Sequence, residues 1–439
     1  MSETAINRPA EPLQERLSRV AERFRDALNA VIDQVPVAIK RPAEFQRVLR
    51  LDRNLSSRLL RAARLHDPLA TLHRMPGPHG VRLLLAAAIK AGVDRVTIAE
   101  AEHAVTELER VVATEVGTWQ ELNAAISGWL PNARAEFELT NRQTAYRAIS
   151  NLRGVTADVE LAVTIVHPAA DDADWVDRAG ITGMCRMKRL RPGAVMRLLH
   201  GRAVSATPGV AEHHEQVLVA GWSPLTPLPS NRQRFSIDGK PIDFTHGAPL
   251  LKEFSTSPSP ELDLHVAGSL SQYVLPGDCV GCGSLADLLF ADVMPRRYPA
   301  HASASTRPIT PGVVVHIPVK VLVADVLVHR DVWRGVQPEL RAFDTTGHGL
   351  ADPTDPSCKV YRVDVLDPIL DMGTRLDAFR VKEIGGYVDM IRHVCGKLGW
   401  DSTAFHGYRF RIEYPLYGTQ FCMIFTPPPL APPSTGTPA

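Results

Sequence analysis

The hydrophobic periodicity of the chain changes at Gly154, and this change restricts the possible folds more than any other feature of the sequence. Before Gly154, apolar residues recur at steps of three and four, which is the pattern of amphipathic α-helices. After it, short runs rich in Val and Ile alternate with loops rich in Pro and Gly, which is the pattern of β-strands. The sequence therefore predicts an α+β protein, with an all-helical N-terminal region followed by a larger, β-rich α+β domain.

The length of 439 residues is too great for one ordinary core and favours two or three domains, at roughly 150 residues each. We expect a helical domain over 1–97, a helical connector over 98–152 with a long helix at about 98–128, and an α+β domain over 153–426. The last residues, 427–439, include six prolines. That composition cannot support a packed core, so we expect a disordered tail.

The elements of the α+β domain follow from its apolar runs and the turn residues between them. Helices are predicted at about 283–292 and 376–398. Strands are predicted at 159–168, 214–222, 263–275, 313–329 and 410–425.

Residues 42–66 have the pattern of two short helices joined by a turn. Pro42 stands in the first helical turn, where proline is tolerated, and Asp52 or Asn54 is the expected cap of the second helix. An inward apolar stripe on the second helix would pack it against the rest of the region. That stripe consists of Leu55, Leu59 and Ala62.

The opposite face of the second helix is basic and able to form hydrogen bonds. Arginine can bind guanine bidentately and asparagine can bind adenine, each contact contributing roughly 1–3 kcal/mol of base discrimination. Such a face is what readout of the DNA major groove requires. Its residues are Asn54, Ser57, Arg58 and Arg61, with Arg53 before them and Arg64 after them.

The segment from Leu51 to Leu60, LDRNLSSRLL, resembles the helix-turn-helix of bacterial transcriptional regulators, whose second helix often has a Ser-Arg-Leu-Leu core. The resemblance covers about 25 residues of the chain. It departs from the pattern at Arg50, where the turn usually has glycine, and at Gln46, where a small residue usually lets the helices pack closely. The resemblance implies a DNA-binding protein that reads DNA with the 54–66 helix.

Positive charge is concentrated around this segment. The whole chain has a net charge of only +1. Between Lys40 and Lys90, however, there are eleven Lys or Arg residues and three acidic ones, a surplus of eight positive charges. A local surplus of this kind is typical of nucleic-acid binding. The residues expected to contact phosphates rather than bases are Lys40, Arg41, Arg74 and Arg82.

The sequence thus favours a regulator that binds double-stranded DNA without a cofactor, with the C-terminal domain as a sensor, oligomerisation or partner module. We also expect a homodimer, because one helix-turn-helix reads few base pairs. The apolar stripes of the helices at 10–34 and 98–128 would form its interface, unless both are consumed inside one subunit. An open alternative is a protein that docks a partner through its N-terminal helices, with the arginines merely solvated.

A second alternative is an enzyme in the C-terminal domain, which requires a pocket where candidate side chains converge. Those candidates are Cys279, Cys282, His316, His329 and Asp364. Cys279 and Cys282 are also weak metal candidates, since a CxxC lacks the second ligand pair that structural zinc uses. A thiol redox site and an ordinary loop remain open for this pair.

Two further clusters have simpler interpretations. His213 and His214 are adjacent, so on a strand they would point to opposite faces and could not share a metal ion. The basic run from Arg186 to Pro192 is either a second nucleic-acid contact or the charged edge of a sheet, and edge protection is preferred.

The sequence also predicts a cytoplasmic protein with no membrane partner. Its N-terminus lacks the pattern of a secretory signal, and its longest strictly apolar run, from Leu83 to Ile89, is far below the ~20 residues of a membrane span. Six cysteines are too few for a disulfide framework in a chain of this size.

Overall fold

The computed structural model describes residues 11–35, 42–194, 235–241, 250–256, 263–267, 270–274, 279–302, 308–347 and 349–429, the segments 263–267 and 270–274 for their backbone only. The chain divides into two compact units, Met1–Asn141 and Arg142–Ala439. The α+β fold class is confirmed: unit 1 is helical and unit 2 is rich in β-sheet. Among the described residues, no helix combines the length and apolar character needed to cross a bilayer.

Unit 1 is a bundle of helices. Their bounds are α1 Leu13–Asp33, α2 Pro42–Leu49, α3 Arg53–Ala63, α4 Pro68–Arg74, α5 Pro78–Lys90, α6 Arg95–Val111, α7 Trp119–Trp129 and α8 Pro131–Arg153, which continues into unit 2. Side chains at the N-termini explain several starts, because Asp52, Asp67 and Asp94 accept hydrogen bonds from the first free backbone N–H groups of α3, α4 and α6.

The predicted long helix at 98–128 is wrong, because the chain breaks in the middle of that range. A π-helical turn at Val112–Val116 ends at Gly117, whose φ of 112° suits only glycine. Thr118 then starts α7 with a capping box, its side chain and that of Glu121 each bonding the other's backbone N–H. The apolar periodicity correctly predicted helical structure over this range, but the capping box at Thr118 starts a second helix.

The predicted connector at 98–152 is also not a separate segment. Ile98, Val105 and Leu108 of α6 and Leu122 and Ile126 of α7 are buried in the same apolar core as α1. The boundary between the units falls at 141/142, within α8, rather than at 97/98. Burial against α1 therefore makes α6 and α7 part of the N-terminal bundle.

The apolar stripe of α1 lies inside unit 1, as do Ile98, Val105 and Leu108 of α6. Leu17, Phe24, Leu28 and Val31 are at most 2% exposed. The helices predicted to form a dimer interface have therefore used their apolar faces within one subunit.

Unit 2 contains most of the sheet structure. Its strands are β1 Val155–Pro168, β2 Trp175–Arg189, β3 Asp263–Ala267, β4 Leu270–Val274, β5 Ala286–Pro299, β6 Gly312–Val314, β7 Val319–His329, β8 Glu339–Asp344, β9 Arg362–Val363, β10 Leu370–Gly373, β11 Phe405–Glu413 and β12 Thr419–Ile424, and its later helix is α9 Tyr387–Lys397. One sheet has the order β10-β11-β7-β1-β2-β5, a second has β6-β12-β8-β9, and β3 pairs with β4. In the larger sheet β1 and β7 are parallel and the other pairs are antiparallel.

Several element predictions in unit 2 are corrected. The single strands predicted at 263–275, 313–329 and 410–425 are each two strands, which are β3 and β4, β6 and β7, and β11 and β12. The segment predicted as a helix at 283–292 is mostly β5, which pairs with β2 through Leu289 and Gly183 among others. The helix predicted at 376–398 is a short 3-10 turn at Leu376–Phe379 and then α9, separated by residues that include Gly386 at a φ of 70°. The predicted strand at 214–222 and residues 430–439 of the predicted tail lie outside the described residues.

The basic run from Arg186 to Pro192 does not protect a sheet edge, because β2 lies between β1 and β5. Arg189 of that run is 2% exposed. Its side chain donates hydrogen bonds to the carbonyl oxygens of Ala194 and Cys279. This arginine therefore has a structural role in holding the following loops.

Among the buried carboxyl groups of the larger sheet, those of Asp325 and Glu160 differ in their partners. Asp325 of β7 accepts hydrogen bonds from Arg409 of β11 at 2.7 Å and 2.6 Å, and from the Tyr387 hydroxyl of α9. Burial alone would lower the pKa of Arg409, but the hydrogen bonds and charge of Asp325 outweigh it and raise that pKa. Glu160 of β1, in contrast, has a buried Oε2 with no hydrogen-bond partner among the described residues.

Candidate nucleic-acid interface

Helices α2 and α3 are joined by the short turn Arg50–Asp52. Arg50 has a φ of 51°, in the left-handed region that glycine adopts most easily. Asp52 Oδ1 accepts hydrogen bonds from the backbone N–H groups of Asn54 at 2.8 Å and Leu55 at 3.1 Å. The turn thus adopts a glycine-like conformation at Arg50, and Asp52, one of the two expected caps, starts α3.

Helix α3 has one buried side and one exposed side. With 3.6 residues per turn, its exposed or half-exposed polar residues occupy a continuous arc of about 140°. The remaining side of the helix is buried or half-buried and packs into the core of unit 1. The α3 face, as we call the exposed arc, consists of Arg53, Asn54, Ser57, Arg58, Arg61 and Arg64.

The predicted inward stripe of α3 agrees with the structure, and burial extends beyond it. Leu59 and Ala62 are fully buried, while Leu55 is half-buried. Ser56, Leu60 and Ala63 are buried as well. The α3 face thus belongs to a helix whose other side is packed in the core of unit 1.

Arg58 lies at the margin of the α3 face, next to the buried side. Its Nη2 donates a hydrogen bond to the backbone carbonyl of Met75, at 3.3 Å. Met75 follows α4 and is 1% exposed. Arg58 therefore ties α3 to the end of α4, whereas Asn54 and Arg61 lie nearer the centre of the arc.

Of the four residues predicted to contact phosphates, two form ion pairs within unit 1 and two are not described. Arg74 forms an ion pair with Glu136, and Arg82 forms a two-point ion pair with Glu109. Both guanidinium groups already face carboxylates, so they are poorer phosphate ligands than the sequence suggested. Lys40 and Arg41 lie outside the described residues.

Two other arginines sit beside α3 and were not singled out as site residues from the sequence. Arg47 of α2 and Arg50 of the turn are both exposed. Neither forms an ion pair with a residue in the described part of the chain, and the same holds for Arg53 and Arg61 of the α3 face. Their closeness in sequence to α3 was the signal that could have identified them.

The residues proposed for an enzyme site are distributed over separate elements. Cys279 and Cys282 precede β5, His316 lies between β6 and β7, and Asp364 follows β9. Over the described ranges, no three His, Cys, Asp or Glu side chains form a group that could hold a metal ion. The CxxC pair therefore gains no further metal ligands from the described fold.

His329, the remaining candidate, lies at the end of β7 in an aromatic cluster. Its ring contacts that of His167 edge-on at 4.8 Å, and the His167 ring stacks on Trp400 at 4.6 Å. Burial, followed by the nearby His167, lowers the pKa of His329. The contacts of His329 are with His167, Phe405 and Asp331 rather than with the other enzyme candidates.

Comparison with known proteins adds little to this geometry. No protein-family model matches the chain, and no curated protein sequence matches it. Among solved structures, the chain is similar to a "putative protease" from Parabacteroides distasonis, with 7% sequence identity and a TM-score of 0.25 over 62% of this chain. The match spans 41% of that other chain, and it is too weak to bear on fold or function.

Proposed function

We propose that the protein is a DNA-binding transcriptional regulator of the cytoplasm, which reads double-stranded DNA with α3. The observation that carries this proposal is the α3 face, an arc of polar residues containing four arginines and no acidic residue. Arg47 and Arg50, exposed on α2 and the turn, extend its positive charge. The remaining unit would serve as a sensor, oligomerisation or partner module.

The division of labour on this surface follows from burial and pairing. Asn54 and Arg61 lie near the centre of the arc and suit contacts with base edges. Arg47, Arg50 and Arg53 lie near its start and suit phosphates. Arg58, Arg74 and Arg82 are held by partners within unit 1, so we assign them structural roles.

The test is a titration of the full chain with genomic and random duplex DNA at low salt, followed by fluorescence anisotropy. The double variant Asn54→Ala/Arg61→Ala should lose about tenfold or more in affinity for its preferred sequence, because each base contact contributes roughly 1–3 kcal/mol. Arg47→Ala should instead weaken binding to all sequences and reduce the slope of log affinity against log salt by about 1.

The matched control is Arg95→Ala/Asn132→Ala, which removes the same two residue types from exposed positions of α6 and α8. It should bind as the wild type does. If the wild type ignores both DNA pools at low salt, the regulator proposal fails. If Asn54→Ala/Arg61→Ala binds as tightly as the wild type, α3 is not the reading helix.

We further propose that two copies associate so that two α3 helices read paired half-sites. With the stripe of α1 buried, the candidate contacts are exposed apolar side chains of α5 and of the start of α6. Leu83, Ile89 and Val96 are 43%, 49% and 65% exposed there. Sedimentation should show a dimer for the wild type and a monomer for Leu83→Asp/Ile89→Asp. A monomeric wild type would contradict this proposal.

The same exposed side chains also suit the alternative in which the N-terminal helices dock a protein partner. Salt dependence separates the two functions. DNA binding through several phosphates should weaken by roughly 0.9 log unit per phosphate for each tenfold rise in salt, whereas docking on an apolar surface should respond weakly.

A further inference from the structure

Cys279 and Cys282 differ from the other cysteines of the chain in exposure. All six cysteines are free thiols, but only these two are exposed. Burial raises the pKa of Cys185, Cys395 and Cys422 to about 12 in each case. Since the thiolate is the reactive form, those three are protected from thiol chemistry, and Cys358 is half-buried.

The chain turns between the two exposed cysteines. Val280 is extended, with a φ of −126°, and Gly281 follows in the left-handed region with a φ of 61°. A 3-10 turn then runs over Gly281–Ser284. An extended residue followed by a left-handed glycine reverses direction within a few residues, which suits a short disulfide-bonded ring.

The turn is anchored at both ends by Arg189 of β2. Its Nη1 donates a hydrogen bond to the Cys279 carbonyl at 3.3 Å, and its backbone N–H donates to Ser284 Oγ at 2.9 Å. Ser284 Oγ in turn donates to the Gly281 carbonyl at 3.0 Å. Because Arg189 and Ser284 are both buried, the fold fixes the backbone on either side of the two thiols.

We propose that Cys279 and Cys282 are a redox-modification site, which forms a reversible intramolecular disulfide with small-molecule disulfides such as oxidised glutathione. The thiolate of one cysteine attacks one sulfur of the oxidant and forms a mixed disulfide with it. The S–S bond of the oxidant breaks, and its other sulfur leaves as a glutathione thiolate. The second cysteine then attacks the protein sulfur of that mixed disulfide and releases the second glutathione. Two protein thiols are oxidised, one external disulfide is reduced, and the two thiol protons remain with the glutathione products or solvent.

The residues of this site lie in unit 2, whereas the α3 face lies in unit 1. The proposed step also needs no metal. It differs from a structural zinc knuckle, which would require two further ligands that the described residues do not supply.

The experiment equilibrates the full chain in buffers of increasing oxidised-to-reduced glutathione ratio, then blocks the remaining thiols and locates them by peptide mass spectrometry. We expect Cys279 and Cys282 to lose alkylation together, in a peptide lighter by two hydrogen atoms, and dithiothreitol to restore both. Cys358 is the internal reference and should stay alkylated. Cys282→Ser should give a glutathione adduct at Cys279 in place of the ring.

The contribution of the fold is measured by repeating the titration in denaturant and with Ser284→Ala. We expect the ring to form about tenfold less readily in the unfolded chain, because the fold raises the effective concentration of one thiol at the other, with Ser284→Ala between the two. The proposal is overturned if each cysteine acquires its own glutathione, or if both stay alkylated in the most oxidising buffer. Equal ring formation in folded and unfolded chains would also overturn it, since the anchored turn would then have no role.

Discussion

The two units differ in the burial of charged side chains, because the buried ones among the described residues lie in unit 2. In unit 1 the arginines of the α3 face are exposed, and ion pairs such as Arg74–Glu136 have side chains about half exposed. In unit 2 the Asp325–Arg409 pair and Glu160 are at most 7% exposed. A charge in water is replaced at little cost in stability, whereas a buried charge depends on its partner for compensation. The exposed charged positions of unit 1 can thus be replaced with little loss of stability, whereas those inside the sheet of unit 2 are tied to folding.

The largest expected effect is the loss of the Asp325 carboxylate. Asp325→Ala leaves the Arg409 guanidinium buried without its partner, which should lower the free energy of unfolding by about 3–5 kcal/mol. Urea denaturation of the full chain measures the change. Glu383→Ala is the control, because it breaks the less deeply buried Arg411–Glu383 pair and should cost clearly less than Asp325→Ala. Equal losses of unfolding free energy in the two variants would contradict the expected difference between the two ion pairs.

The next largest effect is a dependence of the free energy of unfolding on pH, caused by Glu160. Burial raises the pKa of this carboxyl well above its usual value of 4.5, so the folded state keeps the proton that the unfolded chain releases. The free energy of unfolding should therefore fall as pH rises above that usual value, by up to about 1.4 kcal/mol per pH unit, until the raised pKa is reached.

Glu160→Gln keeps the shape of the side chain and cannot ionise, so it should remove this pH dependence. It should match the wild type near about pH 5 and be more stable near about pH 8. Glu413→Gln, at an exposed position of β11, is the control and should follow the wild type. A wild-type stability that rises over this interval, with no difference from Glu160→Gln, would refute the assignment.

A smaller effect is expected for the surface ion pair of unit 1. A double-mutant cycle with Arg74→Ala and Glu136→Ala should give a coupling of about 0.2–1 kcal/mol that declines as salt is added. A coupling several times larger, unchanged in high salt, would show that unit 1 also depends on its ion pairs.

The smallest effect on stability is expected on the α3 face itself. Asn54→Ala/Arg61→Ala should change the free energy of unfolding by no more than about 0.5 kcal/mol. Leu59→Ala, on the buried side of the same helix, should cost about 2–5 kcal/mol. Thermal unfolding of both variants, measured alongside the DNA titration, separates effects on binding from effects on folding. A loss of DNA affinity with unchanged stability would show that the α3 face acts in binding and not in folding.

Local signals were sufficient for much of unit 1. The apolar spacing of α1 and α3 and the carboxylate of Asp52 each act within a few residues, so the sequence predicted these helices and the inward stripe of α3. The predicted roles of Arg74 and Arg82 depended on distant residues. Their partners Glu136 and Glu109 lie 62 and 27 residues away, and nothing in the local sequence indicates them.

The error at 283–292 has a related cause. A short apolar run fits a buried helix and a buried strand equally well, because neither shows a clear period. Its pairing with β2 about a hundred residues earlier makes it β5. The same pairing places β2 inside the sheet, which removed the edge-protection role of the Arg186–Pro192 run.

By itself, the sequence determined that this chain is helical before Gly154 and rich in strands after it, and that a basic, amphipathic helix follows Asp52. Those properties depend on periodicity and capping, which operate over a few residues. The tertiary structure alone decided which arginines remain exposed, that α6 and α7 belong to the first core, and that Arg189 fixes the turn between Cys279 and Cys282. These outcomes depend on contacts between residues far apart in the chain, where burial and pairing set the role of each side chain.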